Sequence, residues 1–437
     1  MPTRYDVVIV GAGIMGLASA YHLQKNNPSK KMVVVDRFGA VAQGNTGRSN
    51  SMFRNTFSSS DNQVLADSSI EFYLHLQEEL KVDVGLQKIG YLWLMDQTQL
   101  EKSEPFLKRM RSNGVETTKY DRESLGRMLP GMVTQFGANE DARMMTLPSI
   151  DGAVFGPKCG RVDPEKLAGF YADGFAKAGG KFLLNSDVGA LMVGPTKRLG
   201  IEGEPHVWQE TKIDGVAISG AEAPILADSV VLAGGAWLNE LLEPVGIDGH
   251  VKAKKRQLFS VHAKGPDVER LFHAKGFNSL GLAPMIILPK AGVHFKPVSE
   301  EGCFWVGCED EINRQFIDVP AHDLEKYQAE TEYYRHDVLP VLSAYFPGFQ
   351  GAALKAMWAG LYAYNTLDRL PFVFRSQNLI VVGGDSGSGI MKGDSLGRVV
   401  DSVYREEGDA SLYGDVRYKA SKLGFERRDV EPEAWII

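Results

Sequence analysis

Cysteine is scarce in this sequence. Only Cys159, Cys303 and Cys308 occur among 437 residues. Three cysteines make neither a disulfide framework nor a zinc pattern, so free thiols and no metal centre are expected. Cys303 and Cys308 lie five apart in a strand-like segment, which should send their side chains to opposite faces. Long apolar runs are also missing, and none approaches the ~20 residues that a membrane-spanning helix needs. The first strand begins at about Tyr5, which leaves no room for a signal peptide before it, so a cytoplasmic location is expected. Concentrated positive charge is absent too. The net charge is -7, and the densest basic group is the short run Lys252, Lys254, Lys255 and Arg256, which argues against a nucleic-acid partner. Internal repeats and low-complexity linkers do not occur.

What is present is an ordinary globular composition, 44% hydrophobic and 24% charged, on a chain long enough for two domains. The 47 glycines are numerous and cluster after apolar runs. The chain opens with a buried strand, Tyr5–Val10, then Gly11-Ala-Gly-Ile-Met-Gly16, an apolar-periodic helix ended by Asn27-Pro28, and a second strand, Met32–Asp36. These runs are continuous rather than alternating, as in a parallel sheet covered on both faces. Helical pattern returns from Ser68 to Leu80, and Gly90–Met95 reads as a strand of a different sheet. Residues 98–148 look helical and irregular, and Ser149–Asp163 loop-like. Pro164–Ala178 reads as a helix capped by Asp163, followed by the strand Lys181–Leu184.

Ala227–Ala233 is another buried strand. Between Lys252 and Asp310 short strands alternate (Gln257–His262, Met285–Leu288, Val293–Pro297, Phe304–Gly307), an antiparallel signature. A helix from roughly Leu324 to Leu342 precedes the last buried strand, Leu379–Val382. The pattern predicts an α/β fold: a Rossmann-like domain (1–79, 150–238, 352–437) interleaved with an α+β substrate domain on a mainly antiparallel sheet (80–149, 239–351).

The opening Gly-x-Gly-x-x-Gly has its full context: a strand before it, a helix after it, and an acid about 20 residues on. Gly11 permits the tight turn, Gly13 lets a pyrophosphate approach the backbone, and Gly16 lets helix and strand pack closely. The helix N-terminus faces the phosphates, and Asp36 can accept hydrogen bonds from a ribose, with Arg37 adjacent. Two further strands end in glycines, at Gly234-Gly235 and at Gly384. The second continues as Asp385-Ser-Gly-Ser-Gly-Ile-Met-Lys392 into a helix through Ser395–Tyr404. That helix start suits a flavin's N1–C2=O edge, where negative charge gathers on reduction, and NAD would not need it. FAD is therefore the expected cofactor.

These pieces resemble the D-amino-acid-oxidase-like superfamily of FAD oxidoreductases, most of all its sarcosine oxidase and glycine oxidase branch. The resemblance covers nearly the whole chain. It rests on the opening fingerprint, Gly47-Arg-Ser-Asn-Ser-Met-Phe-Arg54, Gly160-Arg-Val-Asp-Pro164, Ala233-Gly-Gly-Ala-Trp237 and Gly387-Ser-Gly389. Gly360-Leu-Tyr362 with Thr366, Asp368 and Pro371 adds to it. Cofactor contacts are accordingly expected from Ile14 and Met15, from Gly47, Arg48, Ser49, Asn50 and Ser51, and from Val188. Others are expected from Ala233, Gly234, Gly235 and Trp237, and from Gly384, Asp385, Gly387, Ser388, Gly389, Ile390, Met391 and Lys392.

The resemblance implies oxidation of an amine or amino acid by hydride transfer to flavin N5, with a small substrate carboxylate clamped by an arginine. Arg54 stands in the matching position and its planar fork suits a carboxylate; a surface or phosphate contact is the other reading. By strand alternation Trp305, Gly307 and Glu309 share one face. Trp305 stands where the sarcosine oxidase face carries an oxygen-activating lysine, and Glu309 where it carries a histidine. Loss of that positive charge puts a dehydrogenase, passing electrons to a carrier, ahead of an oxidase. Glu309 either binds a cationic substrate group or ends its strand in solvent. His294 and Lys296 are candidates for the pocket wall, and Tyr362 and Tyr364 for the flavin pocket. No cysteine occupies the segment matching Gly360-Leu-Tyr362, where sarcosine oxidase attaches its flavin, so FAD is expected to be noncovalent. Expected partners are a small carboxylate-bearing amine and an electron acceptor. Two other functions fit the same pattern: a 2-hydroxy-acid or glycerol-phosphate dehydrogenase, and a non-catalytic FAD-stabilised subunit.

Overall fold

In the computed structural model, residues 3–129, 131–309, 315–317 and 327–435 are described. The first strand, Thr3–Val10, sits inside a sheet gathered from distant parts of the chain. It pairs in parallel with Met32–Val35 on one side and Ile225–Leu232 on the other. Lys181–Leu183 and Leu379–Gly383 extend that sheet in parallel, and Phe372–Ser376 closes one edge antiparallel. The continuous Val/Ile runs are explained by alternation between two cores. Val7, Ile9 and Val34 face helices Ile14–Asn26, Pro164–Lys177 and Gly393–Tyr404. Val8, Val10, Val33 and Val35 face a second core with Leu191, Val216 and Leu241. That side is covered by the hairpin Val188–Pro195/Thr211–Ile218 and the short helix Leu238–Leu242.

The second sheet runs in the order Phe316–Ile317, Val251–His262, Cys303–Gly307, His294–Val298, Met285–Ile287, Tyr91–Met95, Gly152–Gly156, Thr118–Asp121. Ala353–Asn365 also pairs along Val251–His262. It is antiparallel except where Met285–Ile287 meets Tyr91–Met95. One face buries Leu92, Phe155, Phe259, Phe295 and Phe304 against a helix carrying Tyr334, Val338, Leu342 and Tyr345. Tyr91, Trp93 and Met95 point the other way, onto Leu107 and Met110 of helix Gln97–Ser112.

Several expectations need correction. The stretch 149–163 is not a loop: Gly152–Gly156 is an interior strand of the second sheet, and Gly160–Arg161 pairs with Met52–Phe53. Its glycines serve close approach rather than turning, since a Cβ on Gly160 would overlap the Gln87 carbonyl. Both Gly152–Gly156 and Ala353–Asn365 lie in the second sheet, so the domain boundaries expected at 150 and 352 each fall a strand too early. The helix expected from Ser68 begins at Ser60, with Ser59 capping Asn62 N, and ends in a wider turn over His75–Glu79. Residues 324–326 of the late helix lie outside the described residues. Beyond them helical structure starts only at Thr331 and runs to Tyr345. Among the described residues no helix is long and apolar enough to cross a membrane, and no cluster of His, Cys, Asp or Glu could hold a metal ion.

Candidate active site

Two cavities adjoin where the sheets meet. The larger, about 240 Å³, follows the carboxyl ends of the parallel strands, the place where open α/β sheets bind ligands. Gly11, Gly13, Ile14 and Met15 line it at the first helix, and Asp36 and Arg37 after the second strand. A Cβ on Gly16 would overlap the Gly11 carbonyl, so this turn and helix can pack only with glycine there. The Asp36 carboxylate is braced by Ala12 N at 2.6 Å and Phe38 N at 2.8 Å; each of its oxygens can accept a further bond. Arg37 pairs with Asp187 at 3.4 Å and lies over the Trp237 ring.

Of the other expected cofactor residues, Arg48, Ser49, Asn50, Val188, Ala233, Gly234, Gly235 and Trp237 line the same cavity. So do Asp385, Gly387, Gly389, Ile390 and Met391. Gly16, Gly47, Ser51, Gly384 and Lys392 do not line it, and Ser388 lines only the smaller cavity. Three of them shape the backbone: Gly384 and Ser51 hold left-handed turns (φ 66° and 63°), and a Cβ on Gly47 would crowd the Ala42 carbonyl. Asn50 Oδ1 and Trp237 Nε1 are buried on this wall with no partner among the described residues, which is costly unless a bound ligand supplies one. A phosphate-tolerant glycine turn, a ribose-facing acid and two orphaned polar atoms all fit a dinucleotide. Burial raises the Asp385 carboxyl to about 6, although Lys392 works against that shift.

The smaller cavity, about 90 Å³, shares Glu309, Tyr362, Gly387 and Met391 with the larger one. Arg54 lines it, together with Asn62, Arg369 and Glu433. The Arg54 guanidinium is buried, donates to the Thr56 and Trp435 carbonyls, and lies 4.2 Å from the centre of the Phe57 ring. Lys392 stands behind the cavity wall, donating to Asn62 Oδ1 at 2.5 Å and Ser388 Oγ at 2.6 Å. Burial pulls its ammonium down to about 7; Arg54 pushes the same way, while Glu433 and Asp385 oppose it.

Glu309 is not a solvated strand end. Arg256 Nε donates to Oε2 at 3.0 Å and the Tyr362 hydroxyl to Oε1 at 3.0 Å, the first from a buried and the second from a half-buried side chain. His294 lines the larger cavity. Its Nδ1 lies 2.9 Å from the Gly292 carbonyl and its Nε2 3.3 Å from Asn50 Nδ2. That network assigns a neutral ring with the proton on Nδ1, and burial holds its pKa below the ordinary value. Trp305 does not line either cavity, contrary to expectation. Its ring sits edge-on to Trp358 at 4.8 Å, with Lys296 Nζ 4.5 Å from its centre. The two residues are opposite partners on neighbouring strands. Lys296 is also off the cavity walls; it donates to the Asn50 carbonyl, and burial lowers it to about 7. The positive charge missing at 305 thus reappears on the next strand, outside the cavity.

The description FAD dependent oxidoreductase matches residues 6–402. The chain belongs to this family. The FAD dependent oxidoreductase domain-containing protein 1 of Xenopus laevis is 24% identical over 94% of this chain and 81% of its own length. Monomeric sarcosine oxidase of Bacillus sp. is 22% identical over 94% of this chain and 96% of its own. Among solved structures, L-proline dehydrogenase from P. horikoshii superposes with a TM-score of 0.72 at 20% identity, over 99% of this chain and 100% of that one. The fold is that of these FAD-binding flavoenzymes, and the glycine turn, the Asp36 carboxylate and the buried polar atoms of the larger cavity fit the family's FAD.

Sequence reasoning missed Arg256, Asn62, Arg369 and Glu433. None sits in a local pattern. Glu433 reaches the site from a tail of mixed charge, and Arg256 is one residue of a basic run that reads as surface.

Proposed function

We propose that this family member oxidises a small amino acid or secondary amine that carries a carboxylate. The observation that carries this reading is the buried Arg54 on the wall of a small cavity continuous with the dinucleotide cavity, with Lys392 behind that wall. FAD, when bound, supplies N5 as the hydride acceptor. Arg54 would hold the substrate carboxylate, and Tyr362 and Met391, shared by both cavities, would orient the substrate between them. The substrate amine must be neutral to release a hydride. No separate base is needed for that, provided the amine enters neutral.

A hydroxy-acid substrate is the weaker reading. It needs a base for its hydroxyl proton, and the two candidates are engaged: Glu309 by Arg256 and Tyr362, and His294 Nε2 by Asn50. The electron acceptor we assign to a carrier rather than oxygen, since no lysine lines the larger cavity among the described residues. Two cysteines support noncovalent FAD, since Cys159 and Cys303 line neither cavity; the third, Cys308, lines the larger one with its thiol donating to the Ala291 carbonyl. Yellow colour remaining in an acid-precipitated pellet would overturn that.

The deciding experiment is anaerobic bleaching of the flavin by a panel of small amino acids and secondary amines against a panel of 2-hydroxy acids. Bleaching by amines alone is expected; bleaching by hydroxy acids alone sinks the assignment. Admitting oxygen to the reduced protein in a stopped-flow cell then tests the acceptor, and fast reoxidation overturns the carrier.

A further inference from the structure

The segment Val430–Trp435 crosses back over the candidate carboxylate site and is tied down on both sides. The Glu433 carboxylate accepts five hydrogen bonds. Oε1 takes Ser58 N at 2.9 Å, Ser58 Oγ at 2.6 Å and Trp435 N at 2.8 Å. Oε2 takes Ser59 N at 3.3 Å and Asn62 Nδ2 at 3.0 Å. Burial works against its ionisation, but Arg54 and the donors from Ser58 and Asn62 outweigh it, so its pKa lies below the ordinary value. Asn62 then passes the contact on, because its Oδ1 accepts from Lys392 Nζ. Two residues further along, the Trp435 carbonyl accepts from Arg54 at 3.2 Å. The Trp435 side chain is buried in the second domain's core, edge-on to Trp93 and Phe106. Glu431 pairs with Arg109 on the outside.

We infer that residues 431–435 are a strap that completes the substrate site, with Glu433 fixing Asn62 on its wall against the Lys392 behind it and the Trp435 carbonyl positioning Arg54. The inference rests on the reading of Arg54 as the carboxylate clamp. Arginine and lysine side chains are long and lose rotamer freedom when they grip a ligand. Holding Arg54 in place beforehand, with the Lys392 charge fixed behind it, removes part of that cost from binding. The strap reaches from the helix that begins at Ser60 to the Trp93 core, so it also ties those two sides of the smaller cavity together. Glu433 and Trp435 are positioning residues, each acting through another side chain.

The test uses the full-length, FAD-loaded protein and acetate as the probe, with binding read from the perturbation of flavin absorbance at constant ionic strength. Glu433→Ala and Trp435→Ala should each weaken acetate about tenfold, the scale of one hydrogen bond to a charged group, with FAD content unchanged. Trp435→Phe keeps the buried anchor and the carbonyl, and should bind acetate as the parent does. With substrate, the two alanine variants should raise KM and leave kcat nearly constant. If Glu433 were only a counter-charge, its removal would tighten acetate; tightening, or no change, overturns the strap. Should either alanine variant fail to load FAD, Asn62→Ala cuts the same relay from inside the helix, and unchanged acetate affinity there also overturns it. Arg54→Ala separates the two layers of argument. If it leaves acetate affinity unchanged, the clamp reading itself fails; if it weakens acetate while Glu433→Ala does not, only the strap falls.

Discussion

The two cavities are built from different materials. The larger is shaped mostly by backbone: strand ends, glycine turns and the start of a helix, supplied by segments that each announce themselves locally. The smaller is shaped by side chains, with Arg54, Glu309, Arg369 and Glu433 arriving from four separate parts of the chain. A backbone-built site tolerates few substitutions at its turns but needs no particular charge around them. A charge-built site depends on every member holding the others in place.

The contrast can be broken at its strongest point by Gly16→Val. A Cβ there meets the Gly11 carbonyl, so the turn must open, and the purified variant should carry no FAD as judged by its visible spectrum. Retention of stoichiometric FAD would mean that the turn is not the cradle. Next in size is Arg54→Ala, which should keep FAD and weaken a small carboxylate about 100-fold, about 3 kcal/mol for a buried charge-assisted contact. A smaller effect comes from pH. Lys392 backs the wall of the smaller cavity and burial draws its ammonium down to about 7, so its positive field on a bound carboxylate, and with it acetate affinity, should fall as pH rises through that value. The charged groups facing it are Arg54, Asp385 and Glu433. Asp385 titrates lower, at about 6, so Lys392→Met should remove the step near 7 and leave any step near 6. A step near 7 that survives in Lys392→Met would assign it to another group.

Legibility follows the same division. Gly11, Gly13, Gly16 and Asp36 could be read because strand, turn and helix are contiguous, and the chemistry of a phosphate-facing turn is local. The fold class was readable for a similar reason: continuous apolar runs against alternating ones distinguish the two sheets. The strand Gly152–Gly156 was not, because its glycines resemble turn residues until the crowded neighbours are known. Trp305 shows the limit of strand alternation. It falls on the expected face but beyond the cavity's edge, and period two gives a face without giving a distance along it. Glu433 lies far outside any motif, and long-range contacts such as Trp435 beside Trp93 and the donors of Ser58 and Asn62 bring it to the site.

The interleaving of the parallel sheet has a consequence for how the protein is made. Val8 pairs with Val230, and Val230 with Leu379, so the central sheet closes only when segments hundreds of positions apart have met. Such non-local pairing is slow, since loop entropy is lost before contacts repay it. The first glycine turn leaves the ribosome long before Asp385–Met391, which forms the opposite wall. FAD loading is therefore a late event in biogenesis, and the free ligand stabilises the finished chain by mass action. Pulse proteolysis with and without added FAD measures this directly: protection that appears only after the full chain is released is the expected course.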